Sequence, residues 1–274
     1  MIRRVQGIVV ATCAGLVLLG VVGCGSDSTG PGVVDENPFL GARVGTDTRL
    51  EIMTWNIREF ARVGDRTAEH VSLALDALAV DIVAIQEIDT ENLGPRYFDE
   101  LAAGLEGWAG FRATSDRYIN LGFLYRDQDG LVVESFTEIL DGEYALPRAP
   151  LVLQARYRGE PLVVINNHFK CCDGSGDRAR RAAASLMLEE YVRTNLDSLP
   201  VVIVGDLNDS LTDPPATNVF ANFLADTLHW RFVDMPIAED PYTLWSYPSW
   251  PSHIDHILVT DELFAATDAA DAFV

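Results

Sequence analysis

The stretch Val201-Val-Ile-Val-Gly-Asp-Leu-Asn-Asp209 constrains the fold more than any other part of the sequence. Four consecutive β-branched residues between Pro200 and Gly205 read as a buried strand. Asp206 and Asn208 follow at its C-terminal end, where α/β sheets place their chemistry. In extended backbone these two side chains share a face, while Leu207 turns back toward the core. A carboxylate and a carboxamide on one rim can hold a metal-bound water and a charged oxygen. The same string also suits an ordinary strand-ending turn, because Gly, Asp and Asn are turn formers. The rest of the chain weighs on that choice.

Elsewhere the pattern of an apolar strand ending in a polar residue repeats. Leu50, Ile52 and Thr54 alternate with Glu51 and Met53, which predicts a half-buried strand that ends near Asn56. Val71, Ala74, Leu75 and Leu78 form the apolar stripe of a helix from about Thr67 to Val80, with His70 beside it as a solvated or capping residue. Residues 81–87 are a second buried strand, ending in Glu87, and the three elements together make a βαβ-like unit. Short strands follow at Leu121–Tyr125 and Leu131–Phe136; Tyr118, just before them, is by default a half-buried aromatic. A hairpin over 150–157 and 161–168 delivers His168 at the end of its second arm. Helices are expected from Gly176 to Asn195, with Ala179, Ala182, Ala183 and Leu186 on one face and Arg178, Arg180 and Arg181 in its first turns, and near Ala216–Leu228. A last strand contains Asp255 and His256, which point to opposite faces. Trp245 and Trp250, near Asp255, are read as core or rim packing rather than substrate contacts.

With 274 residues, 48% of them hydrophobic, the chain can bury one large α/β domain. The excess of 41 acidic over 20 basic residues removes any broad attraction to a polyanion, unless a bound metal supplies local positive charge. Residues 1–23 have the form of an export signal: Arg3 and Arg4 precede the apolar run Ile8–Val22, which is short for a membrane span. Val21-Val-Gly-Cys24 resembles the bacterial lipobox, which makes Cys24 the lipid-bearing first residue of an exported, membrane-anchored protein. Residues 24–48 read as its tether and 49–274 as the domain. Cys171 and Cys172 are adjacent, so a strained vicinal disulfide is allowed, whereas no Cys or His cluster has the spacing of a thiolate metal site.

Taken in order, Thr54-Trp-Asn-Ile-Arg58, Gln86-Glu87, Asn167-His168, Gly205-Asp-Leu-Asn208 and Ser252-His-Ile-Asp255 resemble the motifs of the endonuclease/exonuclease/phosphatase superfamily, over about residues 49–262. The resemblance implies a four-layer α/β sandwich of the deoxyribonuclease I type, with two central sheets flanked by helices and the site at one rim. It implies a Mg²⁺ ion, with Mn²⁺ or Ca²⁺ as alternatives, held by Glu87 with help from Asn56. It makes His168 a phosphate or leaving-group contact, Asp206 the group that orients or deprotonates the attacking water, and Asn208 a transition-state donor. Asp255 would hold a histidine, and Tyr118 would touch phosphate. The substrate would be a phosphodiester, either nucleic acid or a phospholipid headgroup. The sequence departs from the pattern in lacking a final Ser-Asp-His motif, since the Asp-containing segments near 268 and 271 have no His. Loss of such a donor lowers rates by roughly 10²–10³-fold, and loss of its strand is expected to leave a sheet edge unpaired. A phosphatase, a sphingomyelinase-type enzyme and a catalytically silent binding module are the alternatives.

Overall fold

The computed structural model describes residues 8–12, 37–46, 48–116, 118–128, 130–240, 245–247, 251–268 and 272–273. In chain order the elements are β1 (Ile8–Thr12), β2 (Leu50–Phe60), α1 (Asp65–Leu78), β3 (Ile82–Asp89), α2 (Gly94–Gly104), β4 (Trp108–Arg112), β5 (Ile119–Arg126), β6 (Leu131–Glu138), β7 (Leu151–Tyr157) and β8 (Glu160–His168). These are followed by α3 (Ser175–Asn195), β9 (Val201–Asp206), α4 (Ala221–Ala225), β10 (Trp230–Phe232), α5 (Met235–Glu239), β11 (Asp255–Thr260), α6 (Phe264–Thr267) and β12 (Ala272–Phe273). One sheet runs β12-β1-β2-β3-β5-β4 and the other β10-β11-β9-β8-β7-β6. The expected β2-α1-β3 unit is present, with its two strands parallel.

Period-two alternation sorts the apolar residues into three cores and so produces four layers. Leu50, Ile52, Ala84, Val164, Val204 and Ile257 meet between the two sheets. On the outer face of the first sheet, Met53, Val83 and Ile85 pack against Val71 and Leu75 of α1 and Phe98 of α2. On the outer face of the second, Val201, Ile203 and Leu258 pack against Ala184, Leu188 and Val192 of α3. Because both faces are covered, β2 is fully buried along Leu50–Trp55 and not half-buried as its alternation suggests.

Several expectations need correction. The Ala216–Leu228 segment has only the short helix α4, framed by turns. Helix α2 and strand β4 are additions to the elements expected from periodicity. The buried face of α3 is Arg181, Ala184, Ser185, Leu188 and Val192, while Leu186 is exposed; the true stripe passes through a polar pair and so escapes an apolar count. Residues 37–46 do not hang free as a tether. Val44 and Gly45 donate their N–H groups to the carbonyl of Leu78, satisfying a C-terminal acceptor of α1, and Phe39 and Val44 pack on the outer core. Within the apolar run expected to belong to an export signal, Ile8–Thr12 pairs in parallel with Leu50–Thr54. With β12 beyond it, β1 covers the edge of β2. Cleavage before Cys24 would remove β1 and uncover it. Cys24 and Trp250 lie outside the described residues. Among the described residues no helix is long and apolar enough to cross a membrane.

Glu51 is buried in β2, where its carboxylate accepts hydrogen bonds from Thr46 N and Oγ1 at 3.0 and 2.9 Å. Burial first, and then the neighbouring Asp81 carboxyl, push its pKa up to about 7. Between the ordinary value of 4.5 and about 7 the folded state therefore holds a proton that the unfolded chain has released, so stability falls as pH rises through that window. Glu51→Gln is expected to flatten that decline and to gain on the order of 2 kcal/mol at pH 8. Melting curves of parent and variant across the window test this, and parallel curves would clear Glu51 as the cause.

Candidate active site

The open end of the inter-sheet core is a ladder of rungs. Ile52, Ala84, Val164, Val204 and Ile257 belong to its apolar part. One step further along the inward faces come Thr54, Gln86 and Asn166, all buried. Gln86 Nε2 donates to Asn166 Oδ1 at 2.7 Å and to Thr54 Oγ1 at 3.0 Å. Asn166 Nδ2 returns across the gap to the carbonyls of Ile85 and Gly122 at 3.0 and 2.9 Å. The next rung carries Asn56 on β2, His168 on β8, Asp206 on β9 and Asp255 on β11. By parity Glu87 would face outward, but a register shift in β3 between Ile85 and Ile88 and a left-handed φ of 66° turn it into this group.

Asn56 joins the two sheets. Its Nδ2 donates to Glu87 Oε1 and to Asp206 Oδ2, each at 2.9 Å. Glu59 N caps Glu87 Oε2 at 2.9 Å, and Asn208 N caps Asp206 Oδ1 at 3.0 Å. His168 Nε2 lies 3.7 Å from Asp206 Oδ2 and 4.0 Å from Glu87 Oε1. Asn208 has a φ of 55°, and its Nδ2 donates to Phe169 O at 3.2 Å. These residues, with Asp255, line a cavity of about 730 Å³ that continues over Trp55, Ile57 and Val71.

Charge is crowded here. Asp206 and Asp255 face each other across antiparallel strands, an unfavourable pairing of like charges. Burial, and then the charge of Glu87, raise Asp206 to about 6 against the donation from Asn56. Burial and the charge of Asp206 hold Asp255 well above the usual carboxylate range, and its Oδ1 is buried without a hydrogen-bond partner. His168 is held well below its ordinary value by burial and then by the Arg148 charge, so its ring is neutral at pH 7, and its Nδ1 is unpartnered.

Sequence reasoning missed Arg148. Burial lowers its pKa, opposed by the charges of Asp116, Glu87 and Asp206, and its Nη1 reaches His168 O at 3.5 Å. The signal was available as a lone cation between Pro147 and Pro150 in an acidic chain. Tyr118 is not brought into the group: its side chain is 66% exposed and is not part of the cavity wall. His70 does line the cavity.

Behind the rim, buried polar groups brace the catalytic turn. Gly205 is required because a Cβ would collide with the carbonyl of Asn167 on β8. Arg181, expected in an exposed basic patch, is buried on α3; its Nε donates to Asp209 Oδ2 at 2.8 Å and its Nη1 to the carbonyls of Lys170 and Cys172 at 2.9 and 2.7 Å. As expected, His256 points away from Asp255. Its Nε2 lies 2.8 Å from Asp209 O, and its Nδ1 2.7 Å from Asp234 Oδ2, which His253 Nε2 also meets at 2.8 Å. Asp234, His253 and His256 have the spacing of metal ligands. The remaining Asp234 oxygen accepts Ile257 N at 2.9 Å, while His253 Nδ1 is buried without a partner; the group lies outside the cavity.

The fold agrees with the comparisons. Residues 53–270 match the endonuclease/exonuclease/phosphatase family, and the chain belongs to that family, whose nucleases and phosphatases hydrolyse phosphate esters and generally use divalent metals. Similar solved structures include Danio rerio TDP2 complexed with a single-strand DNA product, at 18% identity and a TM-score of 0.60, covering 76% of this chain and 82% of that one. The human Nocturnin catalytic domain with bound sulfate matches at 18% identity and a TM-score of 0.56, covering 77% and 82%. The mannosyl-6-phosphatase of Bacteroides thetaiotaomicron matches at 13% identity and a TM-score of 0.55, covering 77% and 85%. These likenesses confirm the deoxyribonuclease I-like four-layer fold. Comparison with proteins of curated function returns no match.

Asn166→Leu removes this tie between the sheets, taking one acceptor from Gln86 Nε2 and the Asn166 donor from two carbonyls. It is expected to cost about 1–3 kcal/mol and to reduce activity by displacing His168 relative to Glu87. Urea unfolding and kinetics on the same preparation check both effects; unchanged stability in the variant would show that this tie does not hold the sheets.

Proposed function

We propose that this chain is a divalent-cation-dependent phosphodiesterase of the nuclease type, anchored to a membrane through Cys24. The observation that carries the catalytic reading is the Asn56 amide held 2.9 Å from both the Glu87 and the Asp206 carboxylates, with His168 Nε2 alongside. The donor chemistry fits a hard cation: Glu87, Asp206 and Asp255 offer oxygens only, and burial, followed by the charge of the neighbouring carboxylates, raises Asp206 and Asp255 toward protonation. Glu87 with Asn56 would hold Mg²⁺, or Mn²⁺ or Ca²⁺, and the ion would supply charge neutralisation at the phosphate.

The remaining roles follow from the residues themselves. Asp206 is fixed by hydrogen bonds to both oxygens, and with its pKa raised to about 6 it is ionised at pH 7 yet basic enough to take a proton from water. Neutral His168 donates from Nε2 to a phosphoryl or leaving-group oxygen. Asn208 spends one amide hydrogen on Phe169 O and keeps the other for the crowded transition state. Arg148 supports the phosphate electrostatically from behind His168. The net charge of −21 favours a small or lipid-borne phosphodiester over long nucleic acid.

His168→Ala and Asp206→Ala are each expected to lower kcat by about 10²-fold or more, and chelation by EDTA should abolish turnover. The assay compares DNA, sphingomyelin and a phosphomonoester with Mg²⁺, Mn²⁺ or Ca²⁺. Full activity in both variants would defeat the assignment, and phosphate binding without turnover under every condition would establish the silent binding module instead. For the anchor, Cys24→Ser is expected to move the protein from the membrane fraction to the soluble fraction; a variant that still sediments with membranes would rule out lipidation at this residue.

A further inference from the structure

Cys171 lines the cavity, Cys172 follows it, and neither has a part in the hydrolysis described above. Neighbouring side chains in extended backbone point to opposite sides, and two thiols in sequence therefore do not ordinarily meet. Here they do. Cys172 adopts a left-handed φ of 82°, uncommon for a residue with a Cβ, and the two Sγ atoms lie 2.8 Å apart. The unusual backbone is pinned from behind, since the buried Arg181 guanidinium donates to Cys172 O and Lys170 O, the carbonyls that flank Cys171. Both thiols are exposed, and Cys171 lines the same cavity as Glu87, His168 and Asp206. Lys170 Nζ sits 3.5 Å from Cys171 Sγ, itself held 3.4 Å from Asp177. The Cys172 thiol is held above its usual range, first by its hydrogen bond to Cys171, which suits it to the role of second, resolving thiol.

We propose that Cys171 and Cys172 form a redox modification site: a dithiol that closes reversibly to a vicinal disulfide by exchange with a small-molecule disulfide. The Cys171 thiolate attacks one sulfur of the reagent RSSR and expels RS⁻, leaving a mixed disulfide. Cys172 releases its proton to solvent, its sulfur attacks Sγ of Cys171, and the second RS⁻ departs. Two protein thiols are oxidised and one RSSR is reduced to two RSH. Adjacent Cα atoms are about 3.8 Å apart, short of the usual disulfide span of about 4.4–6.8 Å. The closed ring is therefore strained and readily reduced, the property of a labile rather than a structural bond. The proposal does not depend on which phosphate ester is the substrate.

Trypsin isolates the pair in one peptide, Cys171–Arg178, which contains no other cysteine. The folded full-length chain is treated with oxidised glutathione, alkylated, digested and analysed by mass spectrometry. The expected peptide is lighter by two hydrogens and unalkylated, and it returns to the doubly alkylated form when dithiothreitol precedes alkylation. Cys171→Ser and Cys172→Ser, each with a single thiol left in this peptide, are expected to stop at the glutathionyl adduct. A wild-type peptide that carries glutathione, links two chains, or alkylates fully after the same treatment would overturn the proposal. So would closure that occurs equally in the chain denatured in urea, because the folded backbone would then contribute nothing.

Discussion

The hydrogen bond between Gln86 and Asn166 and those around it fix how the two sheets meet. Apolar side chains between sheets can slide with little change in energy, because their attraction has no direction. An amide pair at 2.7 Å, with two more bonds from Asn166 to the opposite sheet, cannot. Gln86 is the neighbour of Glu87, and Asn166 lies two residues before His168. The tie that sets the sheets therefore also sets the distance between the carboxylate of one sheet and the imidazole of the other. Where a buried polar group has all its partners, it selects one arrangement from many compact ones.

Above that tie the structure accumulates groups that are unfavourable on folding grounds. Glu87 takes a left-handed backbone, Asp206 and Asp255 confront each other across two strands, and His168 is stripped of solvent. Each is disfavoured alone, and their concentration at one rim marks a functional site. The Arg181–Asp209 pair and the Asp234–His253–His256 network supply the rigidity behind it. Their hydrogen bonds converge on Asp209, which closes the turn that carries Asp206 and Asn208.

Much of this is legible in the sequence, for a physical reason. Buried strands are continuous apolar runs, and polar residues at their ends stand out against them; hence Asn56, Glu87, His168, Asp206 and Asp255 can be picked out from the residue pattern. The less visible parts follow rules that a local window does not register. Arg181 looks solvated in sequence because its partner lies 28 residues away, and the inward stripe of α3 is misphased by an apolar count because Arg181 and Ser185 belong to it. Arg148 is important through its position relative to three other segments. Tyr118 rests on resemblance alone, and its side chain stands in solvent.

The ladder between the sheets separates two kinds of demand by a single step along each strand. Thr54, Gln86 and Asn166 hold the architecture; Asn56, Glu87 and His168, one or two residues on, face the cavity. A substitution on the outer rung changes the groups that face the substrate directly, whereas one on the inner rung, as at Asn166, reaches the rim only through the joint. The joint therefore acts as a fixed chassis on which the rim can diversify. A family that contains both nucleases and phosphatases is the outcome such a division of labour permits.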